Sequence, residues 1–163
     1  MPLMGVSRSL VAGGLVFGCC PALWAHAVRH GAIEIDHPYA LPSAAGSTQG
    51  RAYLRAIINH GPQTERLLGA TTPRALNVVL RRQLTDAPQG GPDLASIDIA
   101  PGQRLPLGHT GPYQLSLMGL REPLRTGERF ALTLLFEHAG PVTVQVWVQA
   151  PRPASRDVGR DRN

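Results

Sequence analysis

The side chains best suited to chemistry in this sequence are a few histidines and one methionine that could bind a transition metal. His109 lies in loop 108–112, directly before an apolar run, 113–120, that carries Met118. Imidazole nitrogen and thioether sulfur are both donors that transition metals accept. An extended chain separates Met118 from Gln114, at the start of that run, by more than ~10 Å, which argues against a shared metal. His109 and Met118 are therefore candidate ligands whose convergence the sequence leaves open.

The N-terminus has the layout of a secretory signal peptide. Arg8 precedes an apolar stretch, 9–24, and the small-x-small sequence 25–27 follows it. The stretch is short and is interrupted by Pro21, which makes it a poor membrane span. We therefore predict that residues 1–27 are a signal peptide cleaved after Ala27, and that the mature protein is periplasmic with no transmembrane span.

Both cysteines of the chain, Cys19 and Cys20, lie inside this predicted signal peptide. The exported chain would have no thiol and no disulfide, which excludes cysteine nucleophiles and thiolate metal sites. Residues 16–19 also loosely resemble a lipoprotein cleavage box. Lipid anchoring at Cys19 is the alternative to simple release.

Cleavage after Ala27 would make His30 the third residue of the exported chain. The free amine, two deprotonated amides and this imidazole would then give the four donors of a square-planar Cu(II) site, a geometry that Cu(II) prefers. Cleavage after Ala25 would move His30 to the fifth position and abolish the chelate. His30 is therefore a candidate ligand that depends on where the signal is cut.

Composition and motifs argue against an enzyme and against a nucleic-acid-binding protein. The chain has a net charge of +5, and all 16 of its basic residues are arginines. Its serines lack a nucleophile turn, and neither a phosphate-binding glycine loop nor a catalytic pair of carboxylates stands out. Residues 151–163 mix four Arg with two Asp, a composition that predicts a disordered tail.

The elements that must position these side chains are short apolar runs separated by turn residues. The chain has 163 residues with 18 Gly and 15 Pro, which allows one turn-rich domain. Nine runs are apparent: 32–35, 52–58, 67–70, 77–84, 94–99, 105–107, 113–120, 130–136 and 142–148. This pattern predicts an all-β antiparallel sandwich of about nine strands, with residues 28–150 forming the domain.

Two runs alternate with a period of two. Four valines at 142, 144, 146 and 148 alternate with mostly polar residues, which predicts a strand with one buried face. In run 113–120, Leu115 and Leu117 share one face, whereas Gln114, Ser116 and Met118 share the other.

Four stretches in order resemble one family. They are Ala-Thr-Thr-Pro at 70–73, Ile-Ala-Pro-Gly at 99–102, YQLSLMGLREPL at 113–124 and RTGERFALTLLFE at 125–137. The sequence over 33–148 is similar to the PCu(A)C-type periplasmic copper chaperones. The resemblance implies a cupredoxin-like or immunoglobulin-like sandwich and delivery of Cu(I) toward the assembly of cytochrome oxidase. It also implies a copper site made by a histidine in the fourth strand, a methionine about ten residues later and a His-x-Met sequence.

The chain departs from that family at the implied ligands. Gln114 and Ser116 stand at the His-x-Met positions, and Arg81 stands at the position of the fourth-strand histidine. The segment 83–94, which would carry the other methionine, has none. Amide and hydroxyl oxygens are hard donors, and a guanidinium does not deprotonate to bind a metal. If Arg81 lies near Gln114, a fixed positive charge replaces the cation.

Two functions remain open on this basis. The first is a periplasmic copper chaperone or copper-homeostasis protein with an altered metal site, partnered by the copper subunit of cytochrome oxidase or another copper chaperone. The second is a metal-free binding module that pairs with a copper protein or an oxidase-assembly factor. Neither requires a cofactor other than copper.

Overall fold

The computed structural model describes residues 27–84, 91–109 and 111–150, and the regular structure in these ranges is entirely β. Ten strands follow in chain order: β1 Ala27–His30, β2 Ile33–Ala40, β3 Gln49–Asn59, β4 Glu65–Thr71, β5 Ala75–Arg82, β6 Ile97–Ile99, β7 Arg104–Leu107, β8 Tyr113–Leu120, β9 Arg129–Phe136 and β10 Pro141–Val148. Residues 1–26 of the predicted signal peptide and the predicted tail at 151–163 lie outside the described residues. Among the residues described, no helix is long and apolar enough to cross a membrane.

Seven of the strands close into a barrel. The order β2-β10-β9-β4-β5-β8-β3 returns to its start because β3 also pairs with β2. The remaining strands extend this ring: β1 pairs with β2, β7 with β3 and β6 with β4. Closure removes the exposed hydrogen-bonding edges that an open sheet would leave.

The all-β prediction is confirmed, whereas the sandwich differs in how its sheets meet. Trp147 and Val148 of β10 pair in parallel with Tyr39 and Ala40 of β2, which joins the two halves of the fold into one closed sheet. The other strand pairs are antiparallel, as expected from the short connections. The strand that the apolar runs did not predict is β1, which has a single partly buried apolar residue, Val28.

Alternating side chains fill the barrel interior. The four valines of β10 are buried, and Thr143, Gln145 and Trp147 between them point outward and are exposed. β9 alternates in the same way, with its phenylalanines and leucines at 130, 132, 134 and 136 inside. Apolar burial on this scale supplies the main driving force for folding.

Strand β8 breaks the rule that outward positions are exposed. Leu115 and Leu117 point into the core as predicted, but the outward Gln114 and Ser116 are only 2% and 5% exposed. Loop 41–48 covers this outer face and is fastened to the segment after β8. Ser43 donates its backbone N–H to the Leu124 carbonyl at 3.0 Å and accepts from the Leu124 N–H on its hydroxyl at 2.9 Å. The outer face of β8 therefore borders a half-open cavity.

Candidate functional site

The space under this loop is a cavity of about 330 Å³, which we call the outer pocket. Its floor is the outer face of β3 from Gln49 to Tyr53, with Arg81 of β5 and the Ser116 and Met118 side chains of β8. Loop 41–47 forms one wall, and His109 stands at the pocket in the loop that leads into β8. Three neighbouring strands and two loops thus build the site.

The strand register explains which side chains meet there. Ser116 of β8 is paired with Arg51 of β3 on one side and with Val79 of β5 on the other. Gln114 is paired with Arg81. Cross-strand partners on one face have Cβ atoms about 5 Å apart. The positions that the sequence assigned to the missing ligands, Arg81, Gln114 and Ser116, are therefore neighbours on one surface.

His109 and Met118 both line the outer pocket. Among its described lining residues they are the single imidazole and the single thioether. The His109 ring meets Tyr53 edge to face, with ring centroids 5.8 Å apart. Gln83 donates from its side chain to the His109 carbonyl, which ties this loop to the end of β5. Met118 is paired with Gln49, four residues along β3 from the Tyr53 that His109 contacts, so the two candidate ligands lie toward different ends of the pocket.

Two arginines contribute charge to the lining of the pocket. Arg51 and Arg81 both line it, and no acidic side chain does among the residues described. Asp93 forms an ion pair with Arg81 from outside, with Oδ1 2.7 Å from Nε, but its side chain is 63% exposed and its charge is screened by water. Burial raises the pKa of Tyr53, against the opposing effect of its hydrogen bond with Arg51. Tyr53 therefore stays a neutral phenol there.

Gln114 adds an unusual polar group beside the charged ones. Within the described part of the chain, its buried Nε2 has no hydrogen-bond partner. A buried donor without an acceptor costs about 1–3 kcal/mol of stability.

The residues of the pocket fit copper in part. His109 and Met118 are donors suited to Cu(I), but the side chains at the family's ligand positions, Arg81, Gln114 and Ser116, are not. No group of three or more His, Cys, Asp or Glu side chains in the described ranges is placed to bind a metal. The prediction of an altered site therefore stays a prediction, with His109 and Met118 as its donors.

The third candidate ligand, His30, lies away from the outer pocket. It is exposed on β1, opposite Ile33, and borders a second cavity of about 460 Å³ together with Glu65 and His138. The hairpin of β1 and β2 uses strand amides for pairing, whereas a terminal Cu(II) chelate requires deprotonated amides. The terminal site and the β1 pairing therefore compete.

Arg51 and Tyr53 are pocket residues that the sequence analysis missed. Neither residue stands out in the sequence. Arg51 lies just before run 52–58, and Tyr53 lies within this almost continuously apolar run, where no alternation marks the outward positions. Only the pairing of β3 with β8 places Arg51 opposite Ser116, and that pairing joins segments about 65 residues apart in the chain.

Comparisons with known proteins agree on the family. The model of the LpqE-like family, described as "Putative lipoprotein LpqE-like", matches residues 33–148. No curated protein matches the chain.

Solved structures share the fold over most of the chain. The copper-bound PCuAC domain from PmoF2 is 25% identical, with a TM-score of 0.67 over 77% of this chain and 99% of that domain. The apo form of the PmoF2 domain is 26% identical, with a TM-score of 0.65 over 77% of this chain and 96% of that one. The Cu(I) form of DR1885 from Deinococcus radiodurans is 25% identical, with a TM-score of 0.57 over 77% of this chain and 81% of that one. The chain belongs to the LpqE-like family, which is of the PCuAC type.

Proposed function

We propose that the chain is a periplasmic copper-handling protein of the PCu(A)C type with an altered metal site. The observation that carries this proposal is that His109 and Met118 border one pocket in a fold shared with copper-bound PCuAC domains. Copper is the cargo, and the copper subunit of cytochrome oxidase or another copper chaperone is the expected partner. No enzymatic activity is proposed.

The proposal includes the domain plan predicted from the sequence. Residues 1–27 direct export, residues 28–150 form the copper-handling domain, and residues 151–163 are a tail. Lipid attachment at Cys19 would hold the same domain at a membrane surface. N-terminal sequencing and intact mass of the exported protein distinguish these two products.

The pocket's own charges would make copper binding weak. Two unit charges about 4 Å apart interact by about 4 kcal/mol at an effective dielectric constant of 20. Arg51 and Arg81 therefore oppose a bound cation, whereas the absence of thiolate favours release. Weak, exchangeable binding suits transfer more than storage.

The test is a titration of the exported protein with Cu(I) against a competing chelator. We expect uptake of one Cu(I), and we expect both His109→Ala and Met118→Leu to weaken it. His138→Ala is the matched control, because His138 lies at the β9–β10 turn and is hydrogen-bonded to Glu65. Absence of Cu(I) uptake, or uptake unaffected by either pocket variant, would refute the chaperone assignment.

Cu(II) binding at His30 requires a separate measurement. Visible absorption of the processed protein with Cu(II) should show a square-planar nitrogen site that His30→Ala abolishes. A processed protein that begins at any residue other than Val28, or a spectrum unchanged by His30→Ala, would exclude the terminal chelate.

The second candidate function is a metal-free binding module. Arg81, Gln114 and Ser116 at the family's ligand positions favour it, because none of them is a Cu(I) donor. Capture of a copper protein or oxidase-assembly factor from periplasmic extract, by a protein that takes up no copper, would support this function. Stoichiometric copper uptake together with an empty capture would exclude it.

A further inference from the structure

We propose that Tyr39 and Tyr53 form an oxidative modification site, at which hydrogen peroxide, acting through a one-electron carrier such as haem, joins the two phenol rings covalently. The two tyrosines are direct cross-strand partners on β2 and β3. Their rings stack with centroids 5.2 Å apart and with planes inclined by 29°. This inference goes beyond copper handling, since it requires no metal in the outer pocket.

The strand register holds the two rings together in the folded protein. Paired residues flank the tyrosines on both sides, Pro38 with Leu54 and Ala40 with Ala52. Direct cross-strand partners have Cβ atoms about 5 Å apart. Groups held in contact in this way react at an effective concentration far above that of separate molecules in dilute solution.

The two rings differ in exposure, and each can be oxidised. Tyr39 is half-buried and can give an electron to an oxidant in solution, whereas Tyr53 is only 2% exposed. Tyr53 nevertheless lines the outer pocket and is in ring contact with Tyr39. The Arg51 guanidinium has only donors, so its hydrogen bond with Tyr53 uses the phenol oxygen and not the phenol hydrogen. The proton of Tyr53 therefore remains available for release into the pocket.

The reaction balances without any further reactant. Each phenol loses one electron and one proton, which gives two phenoxyl radicals. The radicals couple through one Cε atom of each ring, and a carbon–carbon bond forms. The hydrogens on those two carbons then move to the phenol oxygens. One molecule of hydrogen peroxide takes up the two electrons and two protons and becomes two molecules of water, so the protein loses two hydrogen atoms.

The new bond would fasten the loop that covers the outer pocket. Loop 41–48 lies between the two tyrosines in the chain, so the bond closes it into a covalent ring. The described residues include no cysteine, and a disulfide between them is therefore excluded. A cross-link restricts the unfolded chain. The modified protein should accordingly unfold at a higher urea concentration than the unmodified protein.

The experiment is oxidation of the full chain, at low protein concentration and with a metal chelator present, by hydrogen peroxide and a small haem peptide. Trypsin cleaves after arginine and places Tyr39 and Tyr53 in separate peptides, 30–51 and 52–55. Mass spectrometry should find these two peptides joined with the loss of two hydrogen atoms. Dityrosine fluorescence should appear in the monomer fraction.

Variants locate the site. Tyr39→Phe and Tyr53→Phe keep the rings but remove a phenol oxygen, and each should lower the dityrosine fluorescence of the monomer at least about tenfold, because no other pair is held in contact. Tyr113→Phe is the matched control. Tyr113 is the third tyrosine of the chain and lies on β8 below the Arg82 guanidinium, so its loss should leave the yield unchanged.

Unfolding provides a second test of the geometry. The same oxidation in urea should yield less of the link between peptides 30–51 and 52–55, because the unfolded chain does not hold the rings in contact. A yield as high in urea as in the folded protein would overturn the proposal. So would dityrosine confined to dimers, a monomer link that involves Tyr113, or no link in a folded protein whose tyrosines are oxidised in urea. Tyr39→Phe should leave Cu(I) affinity unchanged, which keeps this proposal separate from copper handling.

Discussion

At one cross-strand pair the protein differs from the copper site that the resemblance implies. Arg81 faces Gln114 between β5 and β8, and both stand at positions where the resemblance implies histidines. Replacing two imidazoles by a guanidinium and an amide exchanges soft metal donors for hydrogen-bond donors. The two substitutions therefore remove soft metal donors from the surface at which the resemblance implies a copper site.

Restoring the family's ligands should restore tight copper binding. The triple variant Arg81→His, Gln114→His and Ser116→Met adds two imidazoles and a thioether on one face and removes a positive charge. We expect its Cu(I) affinity to exceed that of the native chain by about tenfold or more in chelator competition. The control variant Thr143→His with Gln145→Met has the same His-x-Met spacing on exposed positions of β10. Equal affinity of the two variants would show that the outer pocket is not the copper position.

At the scale of elements, turns and strand ends are fixed by a few polar or glycine residues. Glu65, at the start of β4, accepts hydrogen bonds from the backbone N–H groups of Arg66, His138 and Ala139. It thereby holds the turn between β9 and β10 against β4.

Gly119, near the end of β8, has φ of +66°, which a residue with a Cβ adopts only with strain.

Glu65 should make stability depend on pH in the acid range. Burial alone would raise its pKa, but the hydrogen bonds from His138, Arg66 and Ala139 outweigh burial and hold the pKa below its ordinary value of 4.5. Its stabilising effect is therefore fully present above 4.5 and is lost as the pH falls below that value through the lower pKa of the folded state. Glu65→Gln should lower the free energy of unfolding by about 1–3 kcal/mol at neutral pH and flatten its decline in acid. Urea unfolding at several pH values measures this, with the exposed Glu137→Gln as control.

Gly119→Ala should destabilise the barrel without changing ligand binding. A Cβ at this position would come within 2.8 Å of the Leu76 side chain, and the positive φ adds backbone strain. We expect a loss of about 1–2 kcal/mol in the free energy of unfolding. Gly69→Ala in β4 is the control, because nothing lies within 4 Å of its added Cβ. A loss as large in the control would contradict a special role for Gly119.

At the scale of the whole molecule, the barrel is not equally well paired around its circumference. β9 and β10 share seven paired positions, from Pro141 with Leu135 to Trp147 with Arg129. β4 and β5 meet at one, Ala70 with Val78, and β10 meets β2 at two. The barrel is therefore joined by few paired residues at two places, β4–β5 and β2–β10, which we call its seams.

Hydrogen exchange should reveal these seams. Amides of β4 and β5 that face each other, and those between β2 and β10, should exchange by local opening before amides between β9 and β10 do. Site-resolved exchange at neutral pH measures the order. Exchange of the β9–β10 amides first would show that opening begins elsewhere.

Much of the fold could be predicted because strands are local patterns. Each of the nine apolar runs overlaps a strand, and run 113–120 coincides with β8. Closure could not be predicted, because the parallel contact of Trp147 with Tyr39 joins residues far apart in the chain and has no local signature. The polar face of β8 was predicted from its period. The loop that covers this face and the position of Arg51 beside Ser116 could not be predicted, because both depend on pairing between residues far apart in the chain.

The separation of inward and outward side chains along β3, β5 and β8 has a consequence for how such proteins change. Residues that fill the barrel interior and residues that face outward alternate on the same strands, so either set can be replaced while the other stays intact. A combinatorial library varied at Arg51, Arg81, Gln114, Ser116 and Met118 should consist mostly of folded members. Selection from that library would yield new binding specificities on an unchanged scaffold.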